Sequence, residues 1–235
     1  MEAIVLAGGF GTRLAHIVSD VPKPMAPVCG KPFLQYILDD LARQKVTRVI
    51  LAVGYKAECI ETFFVGSYRG MELVYSLEDK PLLTGGAIKK ALAMCREPNV
   101  FILNGDTFFQ VPFQKMAKAH CRQEALLTVA VKKMTHFDRY GTVQLAESNL
   151  IQGFTEKQPC EAGLINGGVY LLQRSALNFI SAEAFSFETD FMEKQVEKER
   201  FYAFLSEGYF IDIGVPEDYA KAQEDFKNDE KSSVF

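Results

Sequence analysis

The chain has 235 residues, 48% of them apolar, and 26 Lys and Arg against 30 Asp and Glu leave a net charge of -4. That size and apolar content suit one fold with a sizeable core. The mild acidity, with a pI near 5.5, excludes the basic stripe of a nucleic-acid binder. No apolar run approaches the length of a membrane span, and the N-terminus lacks the pattern of a signal peptide. Five scattered cysteines without a C-x-x-C suit neither a disulfide frame nor a zinc site. The expectation is a cytoplasmic protein with reduced thiols.

Residues 3–7, A-I-V-L-A, read as a short buried strand. The strand runs straight into Gly8, Gly9 and Gly11. Glycines at a strand exit serve a group that approaches the backbone closely, or a turn with φ > 0. Bare N–H groups in such a turn form an anion cradle. Thr12 adds a hydroxyl and Arg13 a fixed cation. Lys23 follows between Pro22 and Pro24, which stiffen the segment that carries it. N–H donors, a guanidinium and an ammonium on one loop are equipment for a polyphosphate. Two better-known phosphate loops do not match. No Gly-Lys-Ser/Thr occurs, and a G-x-G-x-x-G fingerprint fails at Leu14, where close helix packing wants glycine.

Pro32 opens a helix in which Phe33, Leu34, Ile37, Leu38 and Leu41 repeat at helical spacing. Strands are expected at 48–53, 71–76 and 99–104, and helices at 56–64 and 85–95, with 78–84 a loop. This alternation predicts an α/β protein of right-handed βαβ units, its parallel sheet covered on both faces. In such sheets the site lies at the carboxyl ends of the strands. The second half changes character. Strands are expected at 126–131 and 164–172, a hairpin at 140–145 and 150–155, and a helix at 187–198 capped by Ser186 or Thr189. Short strands at 201–205 and 209–213 read as a further hairpin. A closing helix covers 216–226 and a polar tail 227–235. No internal repeat or linker divides the chain. One domain is expected, with a nucleotide-binding half over about residues 1–110 and a sugar-binding half over about 111–235.

Asp106 and Asp212 each stand at a strand end, in N-G-D and F-I-D-I-G. Two such carboxylates could hold one Mg²⁺, with waters and substrate phosphates completing the octahedron. Strand-end turns are also an ordinary place for aspartate, and spacing alone does not bring the two together.

The run L-A-G-G-x-G-T-R-L, followed by P-K-P-M and G-x-P, resembles the signature of the sugar-1-phosphate nucleotidyltransferases. The likeness continues in order across nearly all of the chain. It implies a Rossmann-like three-layer sandwich on a mostly parallel mixed sheet. It also implies transfer of a nucleoside monophosphate from an NTP to a sugar 1-phosphate, with Mg²⁺ as cofactor. By that resemblance Arg13, Lys23 and Asp106 are catalytic, and Asp106 and Asp212 are the metal ligands. Leu6, Ala7, Gly8, Gly9, Gly11, Thr12, Glu78, Gly85 and Asn104 are expected at the nucleotide. Tyr140 and Gly141 of R-Y-G, Glu156-Lys157 and Asn166 of N-G-G are expected at the sugar.

Glu78 bears on the choice of base. A carboxylate only accepts hydrogen bonds. Guanine offers two parallel donors, whereas uracil and thymine flank one donor with carbonyls and cytosine sets its amino group beside an acceptor. GTP is therefore the expected nucleotide. The compact length and E-D-K-P-L-L-T-G-G-A-I-K-K-A-L look most like the D-glycero-α-D-manno-heptose 1-phosphate guanylyltransferases, which supply GDP-heptose for capsule, S-layer or lipopolysaccharide glycans. Mannose 1-phosphate guanylyltransferases and N-acetylmuramate 1-phosphate uridylyltransferases are the alternatives. A non-catalytic binding subunit of this fold typically loses the loop arginine or a metal aspartate, and Arg13, Lys23, Asp106 and Asp212 are all present. Oligomeric state is left open, a homodimer being one form the family takes.

Overall fold

Apolar, β-branched runs seed the centre of the sheet, and the polar residues that interrupt them fall at its edge. The computed structural model describes residues 1–9 and 20–229. The chain starts with β1 (Glu2–Leu6). A small ribbon of β2 (Pro27–Val28) and β3 (Lys31–Pro32) then leads into α1 (Phe33–Arg43). Next come β4 (Arg48–Val53), α2 (Ala57–Phe64), β5 (Ser67–Tyr68), β6 (Met71–Leu77), α3 (Leu83–Leu92) and β7 (Asn99–Asn104). Then follow β8 (Thr107–Phe109), α4 (Phe113–Arg122), β9 (Leu127–Phe137), β10 (Thr142–Leu145), β11 (Ile151–Thr155) and β12 (Cys160–Gln173). The chain closes with α5 (Glu193–Gln195), β13 (Phe201–Leu205), β14 (Phe210–Asp212) and α6 (Pro216–Asp229).

The main sheet runs β11-β10-β12-β7-β1-β4-β6-β5, with β9 on β12 and β13 on β9. Its centre, β7-β1-β4-β6, is parallel. β12 joins β7 antiparallel and turns the sheet mixed. All of β4 is buried, as a strand covered on both faces must be. One core packs α1, α2, α4 and α6 on one face. A second core, built on α3 and on Phe187, Phe191 and Met192, covers the other. The architecture is the three-layer α/β sandwich on a mixed sheet that the sequence leads one to expect.

Three expectations need correcting. The strands at 201–205 and 209–213 do not form a hairpin. β13 pairs parallel with β9, and β14 pairs antiparallel with β8 in a separate small sheet. Each strand packs with its partner instead: Phe201 and Ala203 of β13 share a core with Leu127 and Val129 of β9, and Ile211 of β14 shares one with Phe108 and Phe109 of β8. The helix expected at 187–198 is a π-helix over Phe187–Met192, then the short α5. The wider turn lets Phe187, Phe191 and Met192 all reach the core. Ser186 is its cap, accepting from the Thr189 N–H at 3.2 Å. Finally, α4 and β8 occupy a stretch to which the sequence reading assigns nothing. Phe113, Met116 and His120 are buried at helical spacing, so the period was there to be read. The expected tail extends beyond residue 229, outside the described residues.

Candidate active site

Because β7, β1, β4 and β6 are parallel, their carboxyl ends share one edge of the sheet. Leu6, Gly54, Glu78 and Asn104, at or just past those four ends, line a cavity of about 600 Å³. Gly8, Gly9, Lys23, Tyr55, Thr84, Asp106 and Glu188 complete much of its wall.

One end of the cavity is charged. Pro22 and Pro24 hold Lys23 in a short 3-10 turn, Lys23–Met25. Its ammonium donates to Asp106 Oδ2 at 2.6 Å and stands 3.9 Å from Asp212 Oδ1. The β8–β14 pairing brings the two aspartates together. Asp212 is in register with Thr107, and the Ile213 N–H donates to the Asp106 carbonyl at 3.0 Å. Gly214 N–H fixes Asp212 Oδ1 at 2.7 Å. Burial, and then the Asp106 charge, push the Asp212 carboxyl above the usual carboxylate range. One ammonium thus faces two converging carboxylates and leaves a negative charge over. That hard oxygen donor pair, short of positive charge, fits a Mg²⁺ ion whose other ligands are water or phosphate oxygens. Among the described residues no cluster of three His, Cys, Asp or Glu offers a fuller protein cage.

The other end carries Glu78. Its Oε2 accepts from the Leu82 N–H at 3.1 Å, and burial raises its pKa above that of an exposed glutamate. A Cβ added to Gly8 would lie 2.7 Å from Glu78 Oε1. Glycine at position 8 therefore lets this carboxylate lie against bare backbone.

Other expected residues fall elsewhere. Gly11, Thr12 and Arg13 lie outside the described residues. Ala7 is fully buried. Gly85 faces Phe185 rather than the cavity: its N–H donates to the Phe185 carbonyl at 2.9 Å, and a Cβ there would meet the Phe185 ring at 2.3 Å. Tyr140 lines a smaller cavity of about 330 Å³ on the other side of Asp212, its ring edge-on to Phe210. A Cβ at Gly141 would lie 2.8 Å from the Thr155 carbonyl oxygen. Asn166 donates to the Tyr170 hydroxyl at 2.9 Å and accepts from the Gly168 N–H at 3.0 Å. Glu156 and Lys157 are exposed and line neither cavity. The sequence reading missed Tyr55 and Glu188. Tyr55 and Leu83 are exposed apolar side chains at the cavity wall, and Leu83 has φ of 58°, uncommon for leucine.

Residues 2–229 match the family model described as nucleotidyl transferase. The chain is 50% identical over 229 residues to a D-glycero-alpha-D-manno-heptose 1-phosphate guanylyltransferase of Aneurinibacillus thermoaerophilus, covering 97% of this chain and 99% of that one. A protein of the same description from Campylobacter jejuni is 46% identical over 220 residues, 93% and 97% of the two chains. Among solved structures, HddC from Yersinia pseudotuberculosis complexed with GMP-PN superposes with a TM-score of 0.86 at 35% identity, covering 96% of this chain and 99% of that one. Sequence signature, family model and superposition agree: the chain belongs to the nucleotidyl transferase family.

Proposed function

We propose that the chain transfers GMP from GTP to D-glycero-α-D-manno-heptose 1-phosphate, giving GDP-heptose and pyrophosphate. The observation that carries this reading is the cavity itself, with Lys23 between two aspartates at one end and an acceptor-only Glu78 beside bare backbone at the other. The near full-length likeness to heptose 1-phosphate guanylyltransferases supports the choice of sugar.

The sugar phosphate oxygen attacks the α-phosphorus in line as pyrophosphate leaves. The nucleophile is already an anion, so no general base is needed. The barrier is like-charge repulsion and charge build-up on the leaving group, and catalysis is positioning plus electrostatic stabilisation. Lys23, held to a short reach by its proline turn, releases Asp106 and grips the α-phosphate and the incoming phosphate. Arg13 holds the phosphates that leave. Asp106 and Asp212 would hold Mg²⁺, which supplies neutralisation of the α-phosphate charge and alignment of both reactants. Glu78 accepts from guanine N1–H and N2–H₂, a donor pair that no pyrimidine offers. Asn104, Gly8 and Gly9 line the same cavity as Glu78 and Lys23.

The test is pyrophosphate release from GTP and this sugar phosphate with and without Mg²⁺, in the native chain and in Asp106→Asn. Release that requires Mg²⁺ and falls about a hundredfold in the variant is expected. Undiminished turnover in the variant would remove Asp106 from the mechanism.

A further inference from the structure

Glu188 lies at least 82 residues in sequence from every other cavity-lining group, yet it faces the same space. Its Oε2 accepts from Thr84 Oγ1 at 2.7 Å and from Ser186 Oγ at 3.1 Å. Thr84 Oγ1 in turn accepts from the Phe187 N–H at 2.9 Å, so the side chain is locked between α3 and the π-helix. Oε1 has no hydrogen-bond partner among the described residues. No described Lys or Arg pairs with the carboxylate, whereas Asp106 has Lys23 and Asp79 has Lys90. Its charge lies close enough to Tyr170 to disfavour the phenolate, and Tyr170 binds Asn166.

A half-buried carboxylate without a cation repels phosphate and suits a neutral hydroxyl donor. The cavity thus divides by charge. Phosphates belong at Lys23, and a neutral polyol belongs near Glu188. We infer that Glu188 is a specificity-determining residue that accepts hydrogen bonds from adjacent hydroxyls of a bound substrate through Oε1, while Thr84 and Ser186 hold Oε2. The inference rests on the nucleotidyl-transfer reading. Both substrates carry such hydroxyls, the nucleotide on its ribose and the sugar phosphate on its ring.

Equilibrium binding by titration calorimetry separates the two, with no turnover needed. The native chain and Glu188→Gln are titrated with GTP, with 2′-deoxy-GTP and 3′-deoxy-GTP, and with D-glycero-α-D-manno-heptose 1-phosphate. The amide keeps an acceptor oxygen for Thr84 and Ser186, so the tie between α3 and the π-helix survives. Thermal melting of Glu188→Gln and Glu188→Ala checks this. The inference expects Glu188→Gln to weaken one ligand about tenfold and leave the other unchanged. If GTP is the ligand weakened, the native preference for GTP over a deoxy analogue disappears in the variant, and the ribose is the polyol. If the sugar phosphate is weakened, the sugar is. Unchanged affinities for both ligands would overturn the inference and leave Glu188 a structural tie. So would equal losses for both with the deoxy penalty intact. A native chain that binds no nucleotide would instead overturn the nucleotidyl-transfer reading.

Discussion

Replacing Glu78 by glutamine changes one atom and should change the preferred base. The side chain cannot turn freely, because the Leu82 N–H donates to Oε2 at 3.1 Å. A glutamine must keep its carbonyl oxygen there, since an NH₂ would face that N–H donor to donor. The NH₂ therefore takes the Oε1 position, against Gly8 and the space above it. Guanine N–H groups would then meet a donor in place of a charged acceptor. A hydrogen bond to a charged group contributes about 1.5–3 kcal/mol, and each ~1.4 kcal/mol is tenfold. GTP should lose about 10- to 150-fold in kcat/KM, while UTP, with a donor beside a carbonyl, should gain. The assay is pyrophosphate release with each nucleotide at saturating sugar phosphate, beside a melting curve to show an intact fold. A variant that keeps GTP kcat/KM within about twofold would refute the assignment of Glu78 to the base.

Other perturbations test other parts of the account. Lys23→Ala should lower kcat about a hundredfold or more while the chain remains folded, checked by steady-state kinetics with circular dichroism. His120 is buried, sharing a 2.8 Å hydrogen bond with Thr128 Oγ1, and burial pushes its pKa down to about 4. The fold keeps it neutral while the unfolded chain takes up a proton below pH ~6.5. Its contribution is therefore complete above that pH and is lost on acidification, reaching about 3 kcal/mol near pH 4. Urea unfolding at pH 7.5 and 5 should show about 2 kcal/mol of that loss, and His120→Asn should remove it. Gly85→Ala drives a methyl group to 2.3 Å from the Phe185 ring. A loss of about 1–3 kcal/mol, read as a lower melting temperature, is expected from the overpacking.

The central fold was legible because its signals are local. Short apolar runs at 48–53 and 99–104, each followed by glycine, announce parallel strands with a site at their ends, and that is where β4 and β7 stand. Apart from α4, whose helical period was local and went unread, what failed was non-local. The chain from Phe201 to Ile213 reads as two short strands with a turn between them, which is the pattern of a hairpin. Only the distant strands that take them up decide otherwise, β9 pairing with β13 and β8 with β14. The meeting of Asp106 with Asp212 depends on the same β8–β14 pairing, so residue spacing alone held no sign of it. Glu188 was hidden for a similar reason. In sequence it is one acidic residue in F-E-T-D, and it gains meaning only because the π-helix packs on the start of α3. Gly85 shows the reverse case: a glycine in a loop-like G-G reads as room for a ligand, and the structure gives that room to Phe185.

The most direct test offers GTP, UTP, CTP, dTTP and ATP separately to the chain with Mg²⁺ and D-glycero-α-D-manno-heptose 1-phosphate, and measures pyrophosphate. The account expects rapid release with GTP and little with the others. Equal or faster release with a pyrimidine nucleotide would contradict it at the base, and no release with any of the five would contradict it at the sugar or at catalysis itself.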